Sequence, residues 1–505
     1  FAILLSLGVD QIYHQDEYSW IRVVRGINGA ESPHPPIFDS LLSIYSDFFG
    51  FNRLRFFPAF FAILNAVLIY FISRKLANNY VVGLLAVLLF VLNAYSLIAG
   101  LQIDMDGALL PFFALSAYLA YIHFPERKSK WFFLFGFAVL GGLLTKLSFV
   151  LFICALLTDY LVTLYEKHGG GKIFRVFLRY FLVLFSVLAV FYYFYQSRSA
   201  QVIEYATHFK SLNFGSRAYF DLGFKLLKSS VWLSPLLLLG SAFGFFILEW
   251  RRRYRFFFLY LFLSTLFYIV PFDFTTLTIE RYFMFLIAPC AIIGGEVLYA
   301  LVQATRGERW KNIAGIIAVF STLALVILFQ YHSTIPLNPK TAYVDHFKSF
   351  NLNFLIPFTG GSGPIGFYFS AKFIFWSWLA SAVAFAVYYS IPRRKNMAAV
   401  ALIVIAAGYN FLFINEFLFG TINGSVPVVA RKAVSYVNDN SDIKEVITYY
   451  DIAPYDLRES GKYYSRFYTA PNRDYTPKIT NFRGHYMIVN FPEVGEHSPY
   501  WNLIK

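Results

Sequence analysis

Apolar stretches long enough to cross a bilayer recur along this chain, and the short turns between them are alternately rich and poor in Lys and Arg. A segment in hydrocarbon must satisfy its own backbone hydrogen bonds, so this pattern restricts the chain to a polytopic bundle of α-helices. The apolar runs fall at 1–9, 56–73, 80–99, 107–123, 131–145, 147–165, 174–195, 232–250, 256–272, 283–303, 312–331, 372–391 and 397–419, which predicts about 13 transmembrane helices. Composition agrees: 58% hydrophobic and 21% aromatic residues leave too little polar surface to cover a soluble domain of 505 residues. The chain opens Phe1-Ala-Ile-Leu-Leu without Met, so we expect a fragment whose first helix lacks its cytoplasmic half.

The net charge of +14 would suit a nucleic-acid binder, but its distribution excludes one. Arg74-Lys75, Arg127-Lys128-Ser-Lys130, Lys167 with Lys172 and Arg175, Arg251–Arg255, Arg306 with Arg309 and Lys311, and Arg393-Arg-Lys395 occupy every second turn. Those turns are expected on the cytoplasmic side. The opposite, exoplasmic side then receives 10–55, 100–106, the turn at Thr145-Lys146, 196–231, 273–282, 332–371 and everything after 420. Cys154 and Cys290 both sit in apolar runs, which implies no disulfide framework.

Two domains are expected: a transmembrane domain over 1–419, and a small exoplasmic α/β domain over 420–505. In the second, Pro427–Val437 reads as an amphipathic helix with Ser425 as its cap. Val446–Tyr450, His485–Asn490 and, more weakly, Gly461–Tyr468 read as strands. Within the first outer loop, Trp20, Val24 and Ile27 share one helical face. Pro35-Pro36 opens a second helix, with Ile37, Leu41, Ile44 and Phe48 on its buried side.

The residues able to carry chemistry gather on the outward side. Asp16-Glu17 reads as a proton acceptor or metal-holding pair, or else as solvated acids capping the helix that follows. In Asp104-Met-Asp106, alternate spacing places both carboxylates on one side of an extended segment, a usual way to chelate Mg²⁺ or Mn²⁺. Equally, Asp106 reads as the cap of the helix beginning at Gly107. Lys146 stands against the charge trend and calls for an anion such as phosphate, unless it snorkels to the headgroups. Arg281 suits an anion or an ion pair with Glu280 or Asp273, and His34 suits phosphate, metal or plain solvent. The sequence contains no Gly-rich phosphate loop, Cys/His metal cluster or nucleophile elbow, so a soluble nucleotide donor is not indicated.

In order, Asp16-Glu17-Tyr18, His34-Pro-Pro-Ile37, Phe49-Gly50 and Arg53-Leu-Arg55-Phe-Phe-Pro58 resemble the first outer loop of the GT-C membrane glycosyltransferases. The branch most similar contains protein O-mannosyltransferases and the lipid A aminoarabinose transferase. Asp106-Gly-Ala-Leu-Leu-Pro-Phe-Phe113, Leu144-Thr-Lys146 and Arg281-Tyr282 ahead of Phe285–Pro289 resemble later features of the same family. The ordered set covers about the first 150 residues; the rest is similar in architecture alone. Pro33 departs from the pattern, because some relatives carry a metal-binding Glu there.

The resemblance implies a sugar donor on a polyprenyl or dolichyl phosphate and a protein, lipid or glycan hydroxyl as acceptor. Asp16 would be the base, with Glu17 and Asp106 beside it in the catalytic set. Attack at the anomeric carbon inverts its configuration, while His34, Lys146 and Arg281 receive the phosphate. A metal at Asp104 and Asp106 would follow oligosaccharyltransferase habits; likeness to the metal-free mannosyltransferases instead implies that no ion is required. The alternative from another class is a transporter or flippase for a lipid-linked glycan, which calls for broken helices and inverted repeats. A scaffold displaying the C-terminal domain leaves the clustered outer acids unexplained.

The charge alternation fixes a topology that labelling reads directly. With an impermeant thiol reagent, Ser32→Cys should label from outside, and Arg252→Cys only after the membrane is opened. Equal labelling of both from outside would overturn the assignment.

Overall fold

The computed structural model describes residues 15–26, 35–168, 219–269, 280–305, 340–358, 367–420, 426–449, 454–467, 474–484, 486–488 and 500–504, with residue 422 and several positions between 315 and 327. The runs at 1–9 and 174–195, and most of 312–331, lie outside the described residues, as do Ile27 and Ser425. Among the described residues, six helices are long and apolar enough to cross a membrane: Phe56–Ala77, Met105–Ile122, Leu147–Lys167, Tyr282–Thr305, Ala371–Ser390 and Pro392–Phe419. One bent pair raises the number to seven, and Ser129–Leu143, Pro235–Phe246 and Arg255–Ile269 are shorter apolar helices. The chain is an integral membrane protein of mainly helical fold, and its described spans do not reach the 13 expected.

The first described helices are the short α1 (Gln15–Val24) and α2 (Ile37–Phe49), then α3 (Phe56–Ala77). The run expected as a single crossing at 80–99 is instead two helices, α4 (Tyr80–Val91) and α5 (Ala94–Leu101), bent by 68°. Asn93 makes the break: its side-chain oxygen accepts from the backbone N–H groups of Tyr95 and Ser96 and so starts a new helix. A π-helical turn, Met105–Leu109, leads into α6 (Leu110–Ile122), followed by α7 (Ser129–Leu143) and α8 (Val150–His168). Next come α9 (Pro235–Phe246), α10 (Arg255–Ile269), α11 (Ile287–Thr305), α12 (Ala371–Ser390) and α13 (Lys395–Phe419). A two-stranded antiparallel ribbon, β1 (Leu355–Phe358) with β2 (Phe367–Ser370), precedes α12.

The buried axis of the bundle is α11, which packs on α4, α9 and α13. Gly294 and Gly295 let it come close: a Cβ at Gly295 would stand 2.8 Å from both the Ala86 Cβ and the Val82 carbonyl oxygen. With no hydrophobic drive between helices in lipid, such close packing supplies much of the association.

Among the described residues, basic side chains of three turns pair with carboxylates of neighbouring helix ends. Lys75 and Lys128 both pair with Glu126, at 3.5 and 3.3 Å. Arg253 reaches Glu296 at 3.0 Å, and Arg255 reaches Asp159 at 2.7 Å and Glu166 at 3.1 Å.

The buried side of α2 differs from expectation. Phe38 and Leu42 are the buried residues, while Ile44 is 52% and Phe48 81% exposed. The apolar residues of α2 run most of the way round it, and the protein takes the face centred on Phe38, whose ring meets Trp20 and Phe57 edge-on at 4.8 and 5.9 Å. Exposed apolar side chains carry no penalty where a helix borders hydrocarbon.

After α13 the described residues form α14 (Val426–Asp439), β3 (Val446–Tyr449), α15 (Pro454–Glu459), β4 (Tyr463–Phe467), α16 (Thr476–Thr480) and β5 (Tyr486–Ile488). The three strands are parallel in the order β4-β3-β5. Central β3 is buried throughout, as a parallel strand covered on both faces must be. Val434, Val437 and Leu457 belong to one apolar cluster with Val446; Phe467, Tyr475 and Tyr500 belong to another with Ile447. Lys462 closes α14 by donating to the carbonyls of Val437, Asn438 and Asn440. This region meets the first loop through Arg25, whose guanidinium is 2.8 Å from Glu459 and 4.1 Å from the centre of the Phe51 ring.

Gly295→Ala should lower the thermal midpoint of the purified protein by several degrees, since overpacking costs about 1–3 kcal/mol. Gly136→Ala, at a position with nothing within 4 Å of an added Cβ, should leave it unchanged. Equal midpoints for the two variants would show that close approach at α11 is not needed.

Candidate active site

Three segments meet where α1, the start of α3 and the end of α5 converge. Glu17, 0% exposed, receives both terminal nitrogens of Arg55, itself 2% exposed, at 2.8 and 3.1 Å. Arg55 also donates to the Leu101 carbonyl at 2.9 Å, and Glu17 accepts from the Ile103 backbone N–H at 2.8 Å. A buried bidentate pair with further hydrogen bonds on both partners is the arrangement in which attraction best offsets desolvation. It holds residue 17 beside the segment that carries Asp104.

Asp104 and Asp106 do different things. Asp104 lies in extended backbone, and its carboxylate accepts from the Asp106 backbone N–H at 3.4 Å, so the cap of the turn is Asp104 and not Asp106. Burial, and then the neighbouring Asp106 charge, push the Asp104 carboxyl up to about 7, with Lys146 pulling the other way. The π turn leaves carbonyls without helical partners, and the buried Asn65 amide of α3 donates to that of Ala108 at 2.8 Å. Gly107 lets the turn rest on α5: a Cβ there would lie 2.5 Å from the Ala99 carbonyl oxygen.

Inside that turn, the Asp106 carboxylate accepts from the Lys146 ammonium at 2.5 Å. Lys146 is placed by the tight turn that follows α7: its backbone N–H donates to the Gly142 carbonyl, and the Thr145 hydroxyl to that of Gly141. The Leu144 carbonyl accepts from the Ile37 N–H at 3.2 Å, which ties the start of α2 to the same turn. Burial opposes the charge on Lys146, but the Asp106 carboxylate more than reverses this and holds the ammonium above its ordinary range. The ammonium also stands 5.1 Å from the centre of the Tyr282 ring.

Asp106 stands in the wall of a cleft between the spans. Its lining includes Asp106, Ser148, Tyr268 and Tyr282 together with Tyr118, Phe149, Phe152, Phe256, Phe257 and Tyr260. Asp106 is the one charged residue in a lining that is otherwise mostly aromatic and aliphatic.

Of the residues singled out in the sequence, Asp106 and Lys146 come together, and Glu17 and Asp104 sit on the segments that frame them. Asp16 lies in α1 and Arg281 in the 3₁₀ turn Glu280–Leu286, but the side chains of both lie outside what the structure describes, as does all of His34. Among the described residues no three His, Cys, Asp or Glu side chains gather as metal ligands do. Sequence reasoning passed over Arg55 as a site residue, and over Tyr260, Ser264 and Tyr268. Those last three fall at i, i+4 and i+8 of an otherwise apolar helix, a polar stripe that was open to reading.

Residues 33–194 match the family described as dolichyl-phosphate-mannose-protein mannosyltransferase. The similarity to membrane glycosyltransferases of the GT-C kind, first seen in the outer-loop motifs, is thereby shown over that stretch. No curated protein matches the chain. Two crystal structures of ArnT from Cupriavidus metallidurans, one bound to undecaprenyl phosphate and one in the apo state, align at 14% identity with a TM-score of 0.49. They cover 90% and 93% of this chain, and 83% and 84% of theirs.

Glu17→Ala removes the bidentate partner of a buried guanidinium, and should cost about 3–5 kcal/mol in stability. A double change, Glu17→Leu with Arg55→Met, should recover most of the loss, because an apolar pair has no charge to strand. Thermal unfolding of the three proteins checks this, and an undisturbed Glu17→Ala midpoint would refute it.

Proposed function

We propose that this chain is a glycosyltransferase that moves a sugar from a polyprenyl or dolichyl phosphate to a hydroxyl acceptor at the exoplasmic membrane face, with inversion. The observation that carries the reading is the Asp106–Lys146 pair, whose carboxylate lines a largely aromatic cleft between membrane spans. A lysine ammonium paired with a residue of a largely apolar cleft suits a ligand with an anionic head and a hydrocarbon tail. The family match over 33–194 supports the same donor class.

In this mechanism the Asp16 carboxylate takes the proton of the acceptor hydroxyl as its oxygen bonds to the anomeric carbon. The bond from that carbon to the phosphate oxygen breaks, and the lipid phosphate leaves with the electron pair. Lys146 faces the negative charge that builds there, with Arg281 and His34 as further phosphate contacts. Glu17 acts as a positioning residue, since its bonds to Arg55 and Ile103 anchor α1 one residue from Asp16. A divalent ion does not fit Asp104 and Asp106, because an ammonium already stands 2.5 Å from the Asp106 carboxylate. No step is therefore routed through a metal.

The bend between α4 and α5 favours a second reading, a transporter of a lipid-linked glycan, because broken helices are common at transporter sites. Sugar transfer by the purified protein separates the two. Asp16→Asn should bind donor but turn over about a hundredfold more slowly or worse. Activity should persist in EDTA, and Asp106→Asn should damage it. Near-normal transfer by Asp16→Asn would remove Asp16 from the mechanism, and loss in EDTA reversed by Mn²⁺ would restore the metal.

A further inference from the structure

One short stretch of chain holds α1 at both ends. Near its start Glu17 takes the two terminal nitrogens of Arg55, at 2.8 and 3.1 Å. Just past its end the Arg25 guanidinium stands 4.1 Å from the centre of the Phe51 ring. From Glu17 to Arg25 is about 12 Å along a helix, and Phe51 lies at most about 14 Å from Arg55 even in extended chain. The helix is therefore fastened twice to the segment from Phe51 to Arg55. Its stop places Arg25 for this: Gly26 takes φ +62°, and the N–H groups of Arg25 and Gly26 donate to the carbonyls of Ile21 and Val23, each at 3.0 Å.

The two fastenings differ in kind. Glu17 and Arg55 are out of water, whereas the side chains of Arg25 and Glu459 are 32% and 48% exposed. The outer fastening is also shared, because Glu459, 2.8 Å from Arg25, belongs to the region that follows α13. Glu459 ends α15, where a carboxylate opposes the helix dipole, so α15 gains nothing from it. Yet α15 is firmly seated: Leu457 is buried, and its carbonyl accepts from the Lys462 N–H at 2.8 Å on the way into β4. An exposed ion pair adds little to folding. What this one can change is where the end of α1 stands.

We propose that Arg25, clamped by Glu459, is a positioning residue through which the C-terminal α/β region orients the helix that carries Asp16. This rests on the role proposed above for Asp16 and gives the C-terminal region a part in it. Without the clamp α1 pivots on the Glu17–Arg55 pair, and a pivot turns the neighbouring residue even where it moves it little. Proton transfer depends on that orientation.

The test takes two readouts from the purified full chain. One is amide hydrogen exchange in α1; the other is turnover of dolichyl phosphate mannose as probe donor, with a simple alcohol as acceptor and dolichyl phosphate release as signal. Glu459→Gln should speed exchange in α1 about threefold, as loss of an exposed pair allows. Its kcat should fall about tenfold, since a misplacement of about 1 Å can cost up to about a hundredfold, while KM for the donor and the thermal midpoint stay put. Arg25→Gln, which also gives up the Phe51 ring, should go further in both readouts, and Arg25→Lys should keep most of each. Joining Arg25→Gln to Glu459→Gln should add nothing to Arg25→Gln alone. Unchanged exchange in Glu459→Gln would overturn the clamp, and faster exchange with kcat intact would overturn its positioning role. An unaltered chain that releases no dolichyl phosphate would instead overturn the transfer reading, and the catalytic half of this proposal with it; the exchange data still decide the clamp.

Discussion

A carboxylate and a guanidinium held wholly out of water, Glu17 and Arg55, bind three separate parts of this chain into one corner. Two buried charges are tolerable only with near-ideal geometry and further hydrogen bonds, and both conditions hold here. Arg55 adds the Leu101 carbonyl and Glu17 the Ile103 N–H, so α1, the start of α3 and the end of α5 cannot shift independently. One residue from Glu17 is Asp16, and one residue from Ile103 is Asp104. The charges stabilise little on balance; their effect is to fix where neighbouring groups stand.

Around that corner the chain concentrates its irregular backbone. Hydrocarbon punishes unpaired peptide groups, so each departure from the helix needs its own compensation. At the α4–α5 break Asn93 supplies it, capping two N–H groups. At the π turn Asp104 caps and Asn65 satisfies the Ala108 carbonyl. After α7 the turn is closed by Gly142 and Thr145 and steadied by the bond from Ile37 to Leu144. The two latter breaks bring Asp106 and Lys146 together, 40 residues apart in sequence.

How much of this was readable depends on which force wrote it. Among the described residues many helix positions were legible because spanning runs are long and charge is costly in lipid, although the run at 80–99 is broken in two. The strands at Val446–Tyr449, Tyr463–Phe467 and Tyr486–Ile488 were legible from short apolar segments between turn signals. The buried face of α2 was not. In water an apolar face points inward, but beside lipid it points either way, so Ile44 and Phe48 read like Phe38 and Leu42. The break at Asn93 was hidden because one polar residue in an apolar run weighs little in composition, although its side chain redirects the backbone. The partnership of Asp106 with Lys146 was also hidden, since spacing along a chain says nothing of pairing across two helices.

On the proposed reading, the resting ion pair bears on how the leaving phosphate is handled. A sugar–lipid phosphodiester carries less negative charge than the lipid phosphate released from it, so charge in the cleft grows as the bond breaks. Lys146 therefore gains more in the transition state than in the bound donor, which is the condition for raising turnover instead of merely tightening binding. Asp106 works in the same direction. By sharing the ammonium at 2.5 Å it weakens the hold on a singly charged donor, and its grip loosens only as the phosphate becomes the stronger partner. A lone lysine in this place would bind donor and product more tightly, and discriminate the transition state less.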